Sequence, residues 1–170
     1  MKKVLSVFML MCIVSGFAGC SSDDAVPENI IVPNSVDKSV KDFFETELPI
    51  YSPLQHTEEV RNAFAWNGDP YSESFTLINS MEEFQALYRG QKQLPQIDFS
   101  SQTLVVGWLQ SDPVSGVELE IDKNTNELNV YMIRLKSNVY AVVVKSIAYW
   151  GVFPKLKTEP RQVNTILVWR

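Results

Sequence analysis

The alternation of apolar and polar residues is clearest after residue 116, where it predicts a β-hairpin. Val117, Leu119 and Ile121 alternate with acidic residues, as expected of a strand with one face in the core and one in water. A four-residue turn after residue 122 brings every apolar residue of the first strand opposite an apolar residue of the second. The predicted pairs are Ile121 with Leu128, Leu119 with Val130, and Val117 with Met132.

Two other segments have the apolar spacing of amphipathic helices. The first covers residues 37–47 and precedes a proline. The second covers residues 81–89, and it begins with Ser80 and Glu83 at the spacing of a capping box. Gly90 is predicted to end this helix as a residue free to adopt positive φ.

The remaining apolar segments predict strands. The run 103–109 is continuously apolar, which is typical of a central strand covered on both faces. The alternation slips after Met132, which predicts a bulge. Further strands are predicted at residues 73–79, 139–148 and 163–169. The order helix, strand, helix and then several strands predicts an α+β fold, a single antiparallel sheet with one or two helices packed on one face.

The N-terminus predicts export and lipidation. Two lysines precede an apolar run that is shorter than the roughly 20 residues of a membrane span. Residues 17–20 resemble the lipobox that signal peptidase II cleaves, so we expect residues 1–19 to be a lipoprotein signal peptide and Cys20 to carry lipid. An ordinary secretory signal is the alternative. The next residues resemble the acidic export tag of surface lipoproteins in Bacteroidota, with a solvated linker as the alternative: Ser21, Ser22, Asp23 and Asp24.

This N-terminus sets the expected domain organisation and location. Residues 20–36 are predicted to be the lipidated cysteine and a flexible tether, and residues 37–170 a single α+β domain. The expected location is the outer membrane, lipid-anchored and on the cell surface, with a periplasm-facing anchor as the alternative. Apart from Cys20 the processed chain has no cysteine, so its stability is expected to come from its core and not from disulfides.

Charge bears on the partners of the domain. The formal net charge is −5, which argues against a nucleic-acid partner. Residues 20–128 carry 6 basic and 19 acidic side chains, whereas residues 129–170 carry 7 basic and 1 acidic. Either these charges neutralise each other within one sheet, or the basic part forms a surface that binds polyanions.

Residues suited to catalysis or metal binding are scarce. His56 is the only histidine, and the processed domain has no cysteine to act as a nucleophile beside it. Asp122 and Asn124 begin like a calcium-binding loop, but Glu127 occupies the place of the required glycine. Asp98 is predicted to tighten a turn. We therefore expect no enzyme activity, no cofactor and no metal.

An aromatic cluster after residue 148 is the strongest candidate for binding. Tyr149, Trp150 and Phe153 fall in a predicted loop, where their rings offer stacking surface, and core filling is the alternative. If the second strand of the hairpin, carried on to residue 136, and the strand predicted at residues 139–148 are antiparallel neighbours, basic side chains lie at the same end of the sheet. These are Arg134, Lys136 and Lys155. Rings combined with cations suit an acidic glycan or an acidic peptide.

Three segments together resemble the C-terminal-domain family of PrcB. They are residues 78–84, residues 94–99 with the sequence LPQIDF, and the strand at residues 103–107. In that family a strand and a helix precede a Pro-x-Ile/Val-Asp-Phe turn that leads into a central strand. The resemblance covers about residues 75–155. It implies the fold, a link to a surface protease complex, and no catalytic residues.

Together these features predict an outer-membrane or surface-exposed lipoprotein that acts as a non-catalytic binding or accessory module. A protease-associated subunit or protease inhibitor is the alternative that the resemblance implies. The expected partners are the membrane, through the N-terminal lipid, and a glycan or protein at the surface.

Overall fold

A computed structural model of the chain describes residues 27–49, 63–65, 74–111, 114–134 and 145–169. These residues form two helices and seven strands, so the predicted α+β class is confirmed in this coarse form. The elements are β1 (Ile30–Ile31), α1 (Lys38–Glu47), β2 (Ser74–Ile78), α2 (Met81–Leu87), β3 (Gln102–Ser111), β4 (Gly116–Asp122), β5 (Glu127–Arg134), β6 (Lys145–Pro154) and β7 (Val163–Trp169).

The strands form two sheets, so the prediction of a single antiparallel sheet is wrong. One sheet has the order β2-β3-β6 and the other has the order β1-β4-β5-β7. The two sheets differ in how many of their faces are buried. β3 is buried on both faces, whereas β4 and β5 are buried on one face only. The chain leaves the second sheet to form β6 and then returns, and β7 pairs parallel to β5.

The three-stranded sheet is the middle layer of the domain, which confirms β3 as a strand covered on both faces. Leu104 and Val106 pack in a cluster with the helices, while Val105 and Leu109 pack in a second cluster with the four-stranded sheet. Continuous apolar sequence is what such a strand requires, because neighbouring side chains alternate between the two faces.

Aromatic rings fill the space between the helices and the middle sheet. Phe43 and Phe44 of α1 are buried, as the predicted helical spacing requires. The Phe44 ring stacks on Phe84 of α2 at 5.9 Å and on Trp150 of β6 at 4.5 Å between centroids. Phe44 therefore joins both helices to the sheet.

The predicted hairpin is confirmed in its register. Ile121 pairs with Leu128, and the other two predicted pairs also form. In the turn, the Asn124 N–H donates to Asp122 Oδ1 at 2.7 Å, and Asn126 adopts φ 55°, which asparagine tolerates better than most residues. The predicted bulge after Met132 is wrong, because the pairing stays regular through Ile133.

The capping box at the start of α2 is confirmed. The Glu83 N–H donates to Ser80 Oγ at 3.1 Å, and Glu83 Oε2 accepts from the N–H of Asn79 at 2.6 Å. The predicted end at Gly90 is wrong, because the helix ends at Leu87. There the backbone bonds to another segment, with the Arg89 N–H donating to the carbonyl of Ala63 at 2.9 Å.

The turn before β3 forms as predicted. Asp98 accepts from the Ser100 N–H at 3.1 Å and from the Ser100 and Ser101 hydroxyls at 2.5 and 2.6 Å. These hydrogen bonds, with Ser100 contributing most, lower the pKa of the Asp98 carboxyl. Asp98 is thereby accounted for as a turn residue.

The sheet begins within the segment predicted as a tether. β1 pairs with the end of β4, and the Asn34 N–H donates to the carbonyl of Val152 at 2.6 Å. Cys20, the residues of the predicted export tag, His56 and residues 139–144 of a predicted strand lie outside the described residues.

Candidate functional site

The predicted aromatic loop is wrong, because residues 149–154 form the second half of β6. Tyr149 and Phe153 are 1% and 0% exposed, so they fill the core and offer no binding surface. Gly151 suits this position of the strand because a larger residue would be crowded: a Cβ there would lie 3.1 Å from both Leu119 Cδ1 and Pro33 Cγ. This glycine marks a close approach between the two sheets, whereas the sequence predicted a loop here.

The basic residues predicted to join these rings are not brought together. β5 pairs with β4 and β7, whereas β6 pairs with β3, so the predicted neighbouring strands belong to different sheets. The Arg134 guanidinium lies 5.6 Å from the ring of Trp169. The Lys155 ammonium donates to the carbonyls of Asn79 and Phe99 at 3.2 and 2.8 Å. Lys136 lies outside the described residues.

Trp150 alone among the predicted aromatic residues reaches a surface cavity. One side of its ring packs on Phe44, and the half-buried side chain also lines a cavity of about 580 Å³ beside β4. We call this cavity the edge cleft. Its walls include Val32, Pro33, residues 117–120, Tyr131, Trp150 and Val168.

The edge cleft exists because β1 covers only one end of β4. Ile30 and Ile31 pair with Asp122 and Ile121, and the chain then passes Pro33 towards β6. Proline has no N–H with which to continue the ladder. The rest of β4 therefore has β5 on one side and the edge cleft on the other.

The backbone groups of Val117 and Leu119 point towards the edge cleft. The Lys123 N–H donates to the carbonyl of Asn29 at 2.8 Å, so odd-numbered residues of β4 direct their backbone groups to the β1 side. Within the described part of the chain, the N–H and C=O of Val117 and Leu119 have no hydrogen-bond partner. Among the described residues, they form a free strand edge.

Carboxylates line the outer side of the edge cleft. Glu118 is exposed, and Glu120 is half-buried where its Oε1 accepts hydrogen bonds from the Tyr131 hydroxyl and from Asn129 Nδ2, the latter at 3.0 Å. The bond to Glu120, together with burial, raises the pKa of Tyr131 to about 12. Both charged residues in the described walls are acidic.

Polar side chains beyond the edge cleft form a row across the outer face of the four-stranded sheet, which we call the polar row. Asn164 Nδ2 donates to Glu127 Oε2 at 2.7 Å and to Asn129 Oδ1 at 3.2 Å. Gln162 Nε2 donates to Glu127 Oε1 at 2.8 Å. These amides satisfy the Glu127 carboxylate with neutral donors. Asn129 links this group to the edge cleft, because it also donates to Glu120 in the cleft wall.

A second, smaller cavity of about 370 Å³ lies beside α2. Met81, Gln85 and Gln93 are among its walls. Tyr88 also lines it and donates its hydroxyl to Glu47 Oε2 at 2.8 Å; burial, with this bond, raises the pKa of Tyr88 to about 12. The cavity offers amides and a neutral phenol at neutral pH.

Among the described residues, no three histidine, cysteine, aspartate or glutamate side chains are grouped so that they could hold a metal ion. No helix in this part of the chain is long and apolar enough to cross a membrane.

No family model, no curated protein and no solved structure matches this chain. The resemblance to the PrcB C-terminal-domain family therefore stays a prediction, as does the protease link that it implies.

Sequence reasoning found Trp150 but missed its surroundings. The hairpin prediction places Glu118 and Glu120 on the solvent face of a strand and assigns no role to Tyr131. The sequence shows that these residues are acidic and aromatic, but it does not show that the pairing of β1 with β4 stops at Ile31. That end is what opens the cleft beside them.

Proposed function

We propose that this protein is a lipid-anchored lipoprotein of the outer membrane or cell surface, and that its domain is a non-catalytic module that binds a partner in the edge cleft. The observation that carries the proposal is the free edge of β4 beside Trp150. A concave site with aromatic and apolar walls and a few polar groups has the chemistry of recognition.

The position of the cleft relative to the predicted anchor supports this proposal. Ile30, the first residue of β1, lies ten positions after Cys20 in the sequence. A chain of that length reaches at most about 35 Å when fully extended. A lipid on Cys20 would therefore hold the edge cleft near the membrane surface, where membrane-bound partners are concentrated.

The anchor is tested by mass spectrometry and fractionation. Wild-type protein should carry acyl groups on its N-terminal cysteine, and Cys20→Ala should be soluble or unprocessed. An unmodified wild-type N-terminus would contradict the anchor.

Changing Asp23 and Asp24 to alanine should protect the domain from protease added to intact cells, with the amount of membrane-bound protein unchanged. Unchanged accessibility would contradict surface export by this tag.

Binding is tested by cross-linking and co-purification from solubilised membranes. A partner recovered with wild-type protein should be reduced with Trp150→Phe, which keeps an aromatic ring on Phe44 while shortening the wall of the cleft. Equal recovery would contradict binding at this site. A partner that is a protease would favour the predicted protease-accessory role.

A further inference from the structure

We infer that the edge cleft accepts an extended segment of another protein as an added strand beside β4, and that basic and apolar side chains alternate along this segment. The inference rests on the proposed binding function and specifies the ligand chemistry. A peptide that adds to a sheet gains affinity from main-chain hydrogen bonds and specificity from its alternate side chains.

The free edge of β4 offers main-chain groups with which an added strand can pair. Val117 and Leu119 direct two N–H donors and two C=O acceptors into the cleft. An extended backbone lying in line with β1 is placed to pair with all four groups. A glycan offers no such repeating pattern of donors and acceptors, which is why a peptide is favoured over the sugar that the sequence suggested.

The two faces of β4 differ in the side chains that they would present to an added strand. Glu118 and Glu120 lie on its outer face, while Val117 and Leu119 lie on its inner face. Side chains of an added strand alternate in the same way. Those on the outer side would neighbour the two carboxylates and those on the inner side would neighbour apolar walls, so basic and apolar residues should alternate.

The same charges disfavour a second copy of this chain as the occupant. Antiparallel pairing of β4 with its own copy across a twofold axis would place Glu118 and Glu120 of one protomer beside the same residues of its partner. Like charges on neighbouring strands are destabilising. Charge complementarity therefore favours a different, basic segment.

The test uses the full chain in detergent and three synthetic peptides. One hexapeptide alternates lysine and valine, the second has glutamate in place of lysine, and the third is the lysine peptide N-methylated at its internal amides. The lysine peptide should bind at least about tenfold more tightly than the glutamate peptide, since attraction is exchanged for repulsion. The N-methylated peptide should not bind, because its backbone has lost the donors.

Three variants locate the binding. Glu118→Lys should weaken binding of the lysine peptide about tenfold, whereas Glu159→Lys, the same charge change on an exposed loop residue outside the cleft walls, should leave binding unchanged. Val117→Pro removes one edge N–H and should also weaken binding. Circular dichroism of each variant confirms that it is folded, and the charge variants decide the outcome if Val117→Pro is not.

Several results would overturn the inference. Equal affinity for the lysine and glutamate peptides, or full binding of the N-methylated peptide, would exclude strand addition of a basic segment. A dimer without peptide that Val117→Pro converts to a monomer would show that a second copy occupies the edge. Failure of the lysine peptide to bind would also overturn it, while a membrane partner lost with Trp150→Phe would still support the proposed binding function.

Discussion

The three-stranded and four-stranded sheets are covered in different ways. The three-stranded sheet has helices on one face and the other sheet on the second face, whereas the four-stranded sheet buries one face and carries a polar row on the other. The first sheet is built for packing. The second keeps polar side chains and the free edge of β4 in contact with solvent, and this is where we place binding.

The largest expected effect tests the aromatic layer on the three-stranded sheet. Phe44→Ala should lower the free energy of unfolding by about 3–5 kcal/mol, because it removes a fully buried ring that contacts Phe84 and Trp150. Glu45→Ala, at the exposed neighbouring position, should change it by less than about 0.5 kcal/mol. Urea denaturation of both variants measures the difference. Similar values would mean that α1 does not pack as described.

The next effect tests the single buried face of the four-stranded sheet. Leu119→Ala should cost about 2–4 kcal/mol and Val130→Ala less, because they pair across the hairpin in the core. Glu118→Ala should stay within about 0.5 kcal/mol. A large loss at Glu118 without one at Leu119, measured by the same urea denaturation, would mean that the faces are reversed.

A smaller effect tests the double covering of the middle sheet. Val105 and Val106 point to opposite faces, and both are 0% exposed. Substitution of either by alanine should therefore cost a similar amount, about 2 kcal/mol. Thermal unfolding of the two variants compares them directly. A loss at one position alone would show that one face of β3 lacks its covering layer.

The smallest effect tests the polar face through its pH dependence. Tyr131 has a pKa of about 12 against an ordinary value of 10, so its contribution to stability is fully present below pH 10 and is lost as the pH rises from 10 to 12. Tyr131→Phe should be less stable by about 1 kcal/mol at neutral pH, and the difference should shrink above pH 10. Chemical denaturation across this range measures it. A constant difference would contradict the bond to Glu120.

The sequence predicted those parts of the fold that depend on nearby residues. The register of the β4–β5 hairpin follows from alternation on both sides of one turn, and the start of α2 follows from Ser80 and Glu83. The division into two sheets could not be predicted in this way. β6 lies between β5 and β7 in the sequence but pairs with β3 of the other sheet. This pairing joins distant parts of the chain.

The candidate site was only partly predictable for the same reason. Trp150 was recognised as a candidate, but Gly151 and Pro154 suggested a loop where the structure has a strand. The glycine is there because Leu119 and Pro33 approach it closely, and no local pattern records that approach. The acidic surroundings of Trp150 likewise come from β4, a strand of the other sheet.

Amide hydrogen exchange measured by NMR shows whether β4 has a free edge at Val117 and Leu119. We expect fast exchange at Val117 and Leu119 and slow exchange at Glu118 and Glu120, whose backbone groups point to β5. Addition of the lysine peptide should slow the two fast amides. Uniform protection along β4 in the protein alone would show that the edge is already covered and would rule out strand addition at Val117 and Leu119.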